Sequence, residues 1–405
     1  MGLRSIVPDR ISNPAKLFLV ATIFNGIGNG IMNVVVQLYL ISLGFDSSAL
    51  GTMFMMNPLG AALLSVPAGI IADRYGKKKV MIVGTVMIGT AITLFLMART
   101  MWMFMVTFLI IGLSNATFVV LTPLYSSFFE HEEMDRAFGF LGFLNIITMS
   151  IGSLVGYVPP TLVEKYGFSL QSSYWTVCVF AAVIIILQSP FYILSIREVI
   201  EPEKRNGFRF TLSSRGVVAK FFALGLLSMV GANVFFNLFP FYVNTKFGVE
   251  SDALGTLFFL SNFVSAGANA LAPRISKRLG TLKTISVMIG LATPFYLMIP
   301  FAPSYILLSA LYILRLGFRA TADPLMGSLY MRLLNEDEKA TANSIRQMSF
   351  QCGGVIAPWL GGQMMETSLD LPVYIGVGLY AVFASSFYLL LKKEEDKAIS
   401  VMVIK

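Results

Sequence analysis

Cysteine, histidine and charge are all scarce in this 405-residue sequence. It has two cysteines, Cys178 and Cys352, far apart within apolar runs, and one histidine, His131, in the acidic stretch 130–135. Two thiols and one imidazole build neither a disulfide framework nor a Cys/His metal cluster, so no metal or other cofactor is expected. Charged residues make up 13% of the chain, about half the roughly 25% of a soluble protein. Apolar residues reach 56% before the 34 glycines are counted, against roughly 45–50% with glycine included in soluble domains. So few polar groups cannot cover a soluble fold. That excludes a soluble enzyme or a nucleic-acid binder despite the net charge of +8. The first sixteen residues are polar and basic, without a short apolar core or cleavage site, so the first apolar run is expected to stay in the protein.

Long apolar runs are what the sequence has in quantity. A bilayer core about 30 Å thick takes about 20 apolar residues as helix, because hydrocarbon offers backbone polar groups no outside partner. The runs between charged or Gly/Pro punctuation predict twelve helical spans: 17–42, 47–72, 79–98, 101–126, 137–159, 171–195, 217–243, 250–272, 281–301, 303–328, 341–364 and 371–391. With both termini in the cytoplasm, 23 of the 30 lysines and arginines fall in inside segments, and only Arg99, Lys165 and Lys246 fall in outside loops. Such a bias is the positive-inside pattern of a multi-pass protein of the cell membrane. It spreads the charge over short loops and leaves no basic face for nucleic acid.

The chain also repeats itself. Sliding it by 204 residues aligns GFDSSALGT (44–52) with GVESDALGT (248–256), six identities in nine. The same offset sets Asn29 and Asn33 opposite Asn233 and Asn237, and Gly76 opposite Gly280. Near spans four and ten the offset becomes 201, with TPLYSS (122–127) facing DPLMGS (323–328). The reading is an all-α membrane protein of two pseudo-symmetric six-helix bundles, 1–197 and 217–405, joined by a charged cytoplasmic linker, 198–216. Bundles repeated about an axis along the membrane normal place a solute site between them near midplane, reached by rocking.

Between spans two and three the chain reads Gly69-Ile-Ile-Ala-Asp73-Arg74-Tyr-Gly76-Lys77-Lys78-Lys79. This resembles the signature loop of the major facilitator superfamily: glycine, three residues, aspartate–arginine, one residue, glycine, then basic residues. The resemblance implies the twelve-helix fold, transport by alternating access, and a cytoplasmic latch at Gly69, Asp73, Arg74 and Gly76. In the second half Lys277 stands where Asp73 does, which makes the latch one-sided. The eleventh span carries Gly354-Val-Ile-Ala-Pro358-Trp-Leu-Gly361-Gly362. It is similar to the Gly-rich motif that antiporters of the superfamily carry in helix five, which tips the expectation towards efflux. In span five itself only Gly152, Gly156 and Pro159 answer to it, and small residues at this spacing also simply let helices approach closely.

Polar groups inside the spans are the candidate site. Asn25, Asn29 and Asn33 recur every four residues in span one, with Gln37 continuing the stripe, and Asn233 and Asn237 repeat it in span seven. In the fold the resemblance implies, both spans line the central cavity. Asn29, Asn33, Gln37, Asn233 and Asn237 are therefore candidate solute ligands, with interhelical hydrogen bonding as the alternative. In span ten, Tyr312, Arg315, Arg319 and Asp323 share a face. An ion pair of Arg319 with Asp323, joined by Arg346, is expected towards the cytoplasm. Arg315, nearest the bilayer centre, lacks an obvious partner and with Tyr312 is assigned to the solute site, where an uncompensated charge would cost at least about 2.5–3.5 kcal/mol.

No acid lies deep in any span of the first half, so a coupling proton or a counter-anion both stay open. The expectation is a monomeric secondary carrier in the lipid bilayer that moves a small organic solute by a rocker-switch cycle, with efflux favoured. An organic-anion uniporter or exchanger using Arg315 and Arg319 is the alternative. A non-transporting membrane sensor is a third, from another class.

Overall fold

The computed structural model describes residues 11–118, 121–130, 133–196, 214–334 and 338–404. His131 and most of the expected linker lie outside them. The regular elements are helices α1 (Asn13–Ser42), α2 (Ser47–Phe54), α3 (Met56–Tyr75), α4 (Lys77–Met97), α5 (Met101–Thr117), α6 (Leu121–Ser126), α7 (Met134–Ser153) and α8 (Val158–Tyr166). They continue as α9 (Leu170–Ser195), α10 (Arg215–Phe236), α11 (Phe239–Phe247), α12 (Ser251–Leu279), α13 (Thr281–Leu297), α14 (Tyr305–Arg332), α15 (Lys339–Thr367) and α16 (Leu371–Ile404).

All twelve expected spans fall on helix. Among the described residues nine helical stretches are long and apolar enough to cross a membrane, and α5 is a shorter apolar one. The other two spans are α2–α3 and α15; α15 is the more polar for its Asn343, Arg346, Gln347 and Gln351. Three spans are divided at described residues where the sequence reading ran them straight: α2/α3, α7/α8 and α10/α11. Each continuing piece carries proline in its first turn (Pro58, Pro159 and Pro240). Proline has no N–H for the preceding turn and its ring crowds the carbonyl four residues back, so the helix restarts there. A capped start opens α1, where Ser12 accepts the Ala15 N–H at 3.4 Å and Pro14 supplies a preset φ.

The chain forms two compact units. The first comprises Met1–Ala49, Met56–Lys204 and Asn244–Phe263; the second comprises Leu50–Met55, Arg205–Val243 and Val264–Lys405. In the first, α1 packs on α7 and α9, and α5 packs on α3 and α4. In the second, α10 packs on α15 and α16, and α13 on α14 and α16. The two units also share a side-chain arrangement, at an offset of 205 residues that sets Tyr125 opposite Tyr330 and not opposite Met326 as the aligned motifs do. In the first unit Tyr125 donates to the Ala137 carbonyl at 3.0 Å and packs on Phe18. In the second, Tyr330 donates to the Ala342 carbonyl at 2.7 Å and packs on Phe221. Both tyrosines are fully buried, at the centre of the two apolar cores.

Turn glycines repeat 204 residues apart. Gly44 and Gly248 have φ of 88° and 64°, and Gly76 and Gly280 have φ of 98° and 83°. These conformations strain any residue with a Cβ. Outward-facing apolar side chains are numerous and large: Trp102 is 74% exposed, Ile306 81% and Leu389 71%. In water such a surface would aggregate; around helices of this length it is what acyl chains solvate.

Candidate solute-binding site

The amide ladder of α1 holds together in part. Asn25 donates to the Gln188 side chain of α9 at 2.7 Å, which is the interhelical alternative realised. Asn29 instead points outward: it is exposed and donates back to the Asn25 carbonyl and side-chain oxygens at 2.9 and 3.1 Å. Asn33 is exposed one turn further on, and Gln37 is half-buried. A third exposed amide, Asn115 on α5, donates to Asn57 of α3 at 3.4 Å. Asn57 and Gln188 escaped the sequence reading because neither belongs to a periodic stripe on its own helix.

In the second unit Asn233 is half-buried and its amide N–H points at the Met229 sulfur at 3.1 Å, a weak acceptor. Asn237 closes α10 and is half-buried. Tyr312 stacks on Phe239, with ring centroids 4.4 Å apart.

Helix α14 carries the charges, and its neighbours decide what they can do. Arg319 is partnered at Nε and Nη1. It pairs with Asp323 at 2.7 Å and donates to Ser228 Oγ of α10 and Tyr380 OH of α16, each at 2.9 Å. Arg346 belongs elsewhere: its guanidinium donates to Asn343 at 3.2 Å and lies over the Tyr330 and Phe350 rings. Arg315 is 4% exposed and enclosed by aromatic faces. Its guanidinium carbon is 3.8 Å from the Phe236 centroid, 5.3 Å from Tyr296 and 5.4 Å from Tyr380. The rings come from α10, α13 and α16, three helices distant in sequence, so no local signal foretold them.

At the signature loop α3 runs on through Tyr75, and Gly76 at φ 98° starts α4. Gly69 is half-buried with open space where a Cβ would go. Arg74 is exposed, 5.5 Å from the Tyr75 ring centre, and the Asp73 side chain lies outside the described residues.

A family model, Major Facilitator Superfamily, matches residues 18–318 and again 221–401. The chain belongs to that superfamily. As a major facilitator it is a multi-pass membrane protein of the transporter class. The Multidrug resistance protein 1 of Bacillus subtilis is 22% identical to it over 370 residues, covering 88% of this chain and 90% of that protein. The class H tetracycline resistance protein of Pasteurella multocida is 22% identical over 413 residues, covering 95% and 98%. The quinolone resistance protein NorA of Staphylococcus aureus is 20% identical over 386 residues, covering 89% and 92%. Among solved structures, the nucleoside transporter NupG superposes with a TM-score of 0.70 at 14% identity, over 95% of this chain and 99% of that one. The POT family transporter PepTSo gives 0.74 at 11% identity, over 96% and 99%. At these identities the likeness is one of fold.

Proposed function

We propose that this facilitator is a secondary carrier exporting small organic solutes across the cell membrane by alternating access, with both termini in the cytoplasm. One observation carries the direction: multidrug, tetracycline and quinolone resistance proteins match it over about nine-tenths of both chains. The exposed amides Asn29 and Asn33 supply the solute-facing polar groups in the first unit, and Asn233 and Asn237 their counterparts in the second. Gln37 and Tyr312 extend these two surfaces. Donor–acceptor amides among flexible apolar side chains orient a solute through hydrogen bonds, which suits an exporter of organic solutes. The signature-loop residues Gly69, Asp73, Arg74 and Gly76, with Arg319, Asp323 and Arg346, act at the cytoplasmic end as gate. The chemistry is displacement of a solute, not catalysis on it.

The test is flux of a fluorescent quinolone and of tetracycline in sealed proteoliposomes, with and without a pH gradient. Protein-containing vesicles are expected to move at least one of them several-fold faster than protein-free ones. Replacing Asn29 and Asn33 together by valine is expected to cut that flux at least tenfold at equal reconstituted protein. The loss would leave the thermal midpoint nearly unchanged, because both side chains are exposed. Absence of flux for either solute contradicts export of this class, and full flux in the double variant removes the amides from the site.

A further inference from the structure

The least compensated charge among the described residues lies inside the second unit, at Arg315. Its Nε and Nη2 are buried and make no hydrogen bond, in a side chain 96% removed from solvent. Those two N–H groups share one edge of the planar guanidinium and point in parallel. That edge is the half of the fork that takes both oxygens of a single carboxylate. Arginine cannot shed its charge to escape burial. The Phe236, Tyr296 and Tyr380 rings attract the cation through their faces, yet a ring face offers no lone pair to an in-plane N–H. One turn on, Arg319 shows the contrast, since Asp323, Ser228 and Tyr380 meet its donors. Among the described residues no carboxylate meets that edge of Arg315.

The geometry points to Arg315 as a binding site for the carboxylate of an organic solute with an aromatic or apolar body. Nε and Nη2 take its two oxygens. Phe236 is half-buried while Tyr296 and Tyr380 are fully buried, so the approach is from the Phe236 side. There the solute body meets Phe236, Phe239 and Tyr312; Phe239 and Tyr312 stack, and Phe236 lies tilted against both. A standing positive charge in a ring-lined, water-poor site selects anions over cations of the same shape. The inference names the substrate class of the proposed carrier and rests on that reading only for the bound anion being cargo; binding itself is tested apart from flux.

The experiment is a titration of the purified full-length protein in detergent at neutral pH with benzoate, benzyl alcohol and benzylammonium, three probes with one body and different heads. Saturable heat and a raised thermal midpoint are expected with benzoate alone. Arg315→Lys keeps the charge but loses the fork, and is expected to weaken benzoate at least tenfold; Arg315→Gln is expected to abolish it. Should Arg315→Gln fail to fold, the wild-type selectivity and Arg315→Lys still decide. Phe236→Leu is expected to weaken benzoate but not acetate. Equal binding of benzyl alcohol and benzoate, or unchanged benzoate affinity in Arg315→Lys, overturns the assignment. Export of a neutral or cationic solute with no benzoate binding overturns the assignment and leaves the carrier reading intact. Fork-dependent benzoate binding with no flux of any solute supports the assignment and contradicts the carrier reading.

Discussion

Valine in place of Gly51 or Gly255 is expected to abolish transport while leaving the protein folded in the membrane. These glycines are the same residue of the duplicated ALGT motif, 204 positions apart. Each lies in a segment that the compact units exchange: Leu50–Met55 falls in the second unit and Asn244–Phe263 in the first. A Cβ on Gly51 would collide with the Pro358 carbonyl oxygen and stand 3.0 Å from the Gly362 Cα. A Cβ on Gly255 would collide with the Ser153 carbonyl and stand 3.5 Å from the Gly156 Cα. The second crossing is further fixed by Ser251, which donates to the Gly156 carbonyl at 2.7 Å, and by a 2.8 Å hydroxyl contact of Tyr157 with Thr256. Backbone cannot step aside as a flexible side chain would, so overpacking here costs about 1–3 kcal/mol. A penalty of that size that falls unequally on the conformations of a carrier shifts the balance between them by roughly five- to a hundred-and-fiftyfold. Flux and thermal midpoint measured together check it. Loss of flux with a midpoint within a few degrees of wild type is the expected pair, and wild-type flux in either variant would contradict the argument.

The second large effect concerns Arg319 and Asp323. Asp323→Leu removes the anionic partner of Arg319 and leaves its guanidinium on two neutral hydroxyls, Ser228 and Tyr380. An uncompensated intramembrane charge costs about 2.5–3.5 kcal/mol or more. The half-exposed Asp323 carboxylate draws part of its solvation from outside, so a loss nearer 2 kcal/mol is expected. Arg319→Met alone strands a carboxylate that water reaches, and costs less. The double variant is expected to be more stable than Asp323→Leu alone, because it removes both charges together. Thermal unfolding of the four proteins as a double-mutant cycle reads this directly; additive losses would show that the two side chains do not act as a pair.

How much of this was legible in the sequence follows from which signals are local. The twelve spans, the repeat and the turn glycines rest on charge placement, period and φ, each carried by a few neighbouring residues. Gly76 and Gly280, aligned by the repeat, both adopt positive φ. The breaks at Pro58, Pro159 and Pro240 were present as letters, but whether a membrane proline kinks or restarts a helix depends on what packs beside it. Prolines 67, 190, 273, 294, 324 and 358 remain inside continuous helices. The Arg319–Asp323 pair is an i,i+4 contact and was readable for that reason. Arg346 was expected to join it and instead lies on Tyr330 and Phe350, because the facing helix decides where a long side chain goes. Arg315 could be flagged as partnerless from its depth alone, but its ring enclosure needed three helices from elsewhere in the chain. The Asn25–Gln188 bond is of the same kind: one amide of a regular stripe is spent on holding α1 to α9, and only the fold shows which one.

Solute counterflow tests the central claim, a carrier with one site that opens alternately to either side, most directly. Proteoliposomes loaded with excess unlabelled solute, diluted into a trace of the same solute carrying label, are expected to accumulate label transiently above its equilibrium level. That overshoot arises only when the loaded site returns faster by exchange than the trace leaves unaided. A monotonic rise to equilibrium with no overshoot, for a solute whose flux depends on the protein, would contradict alternating access.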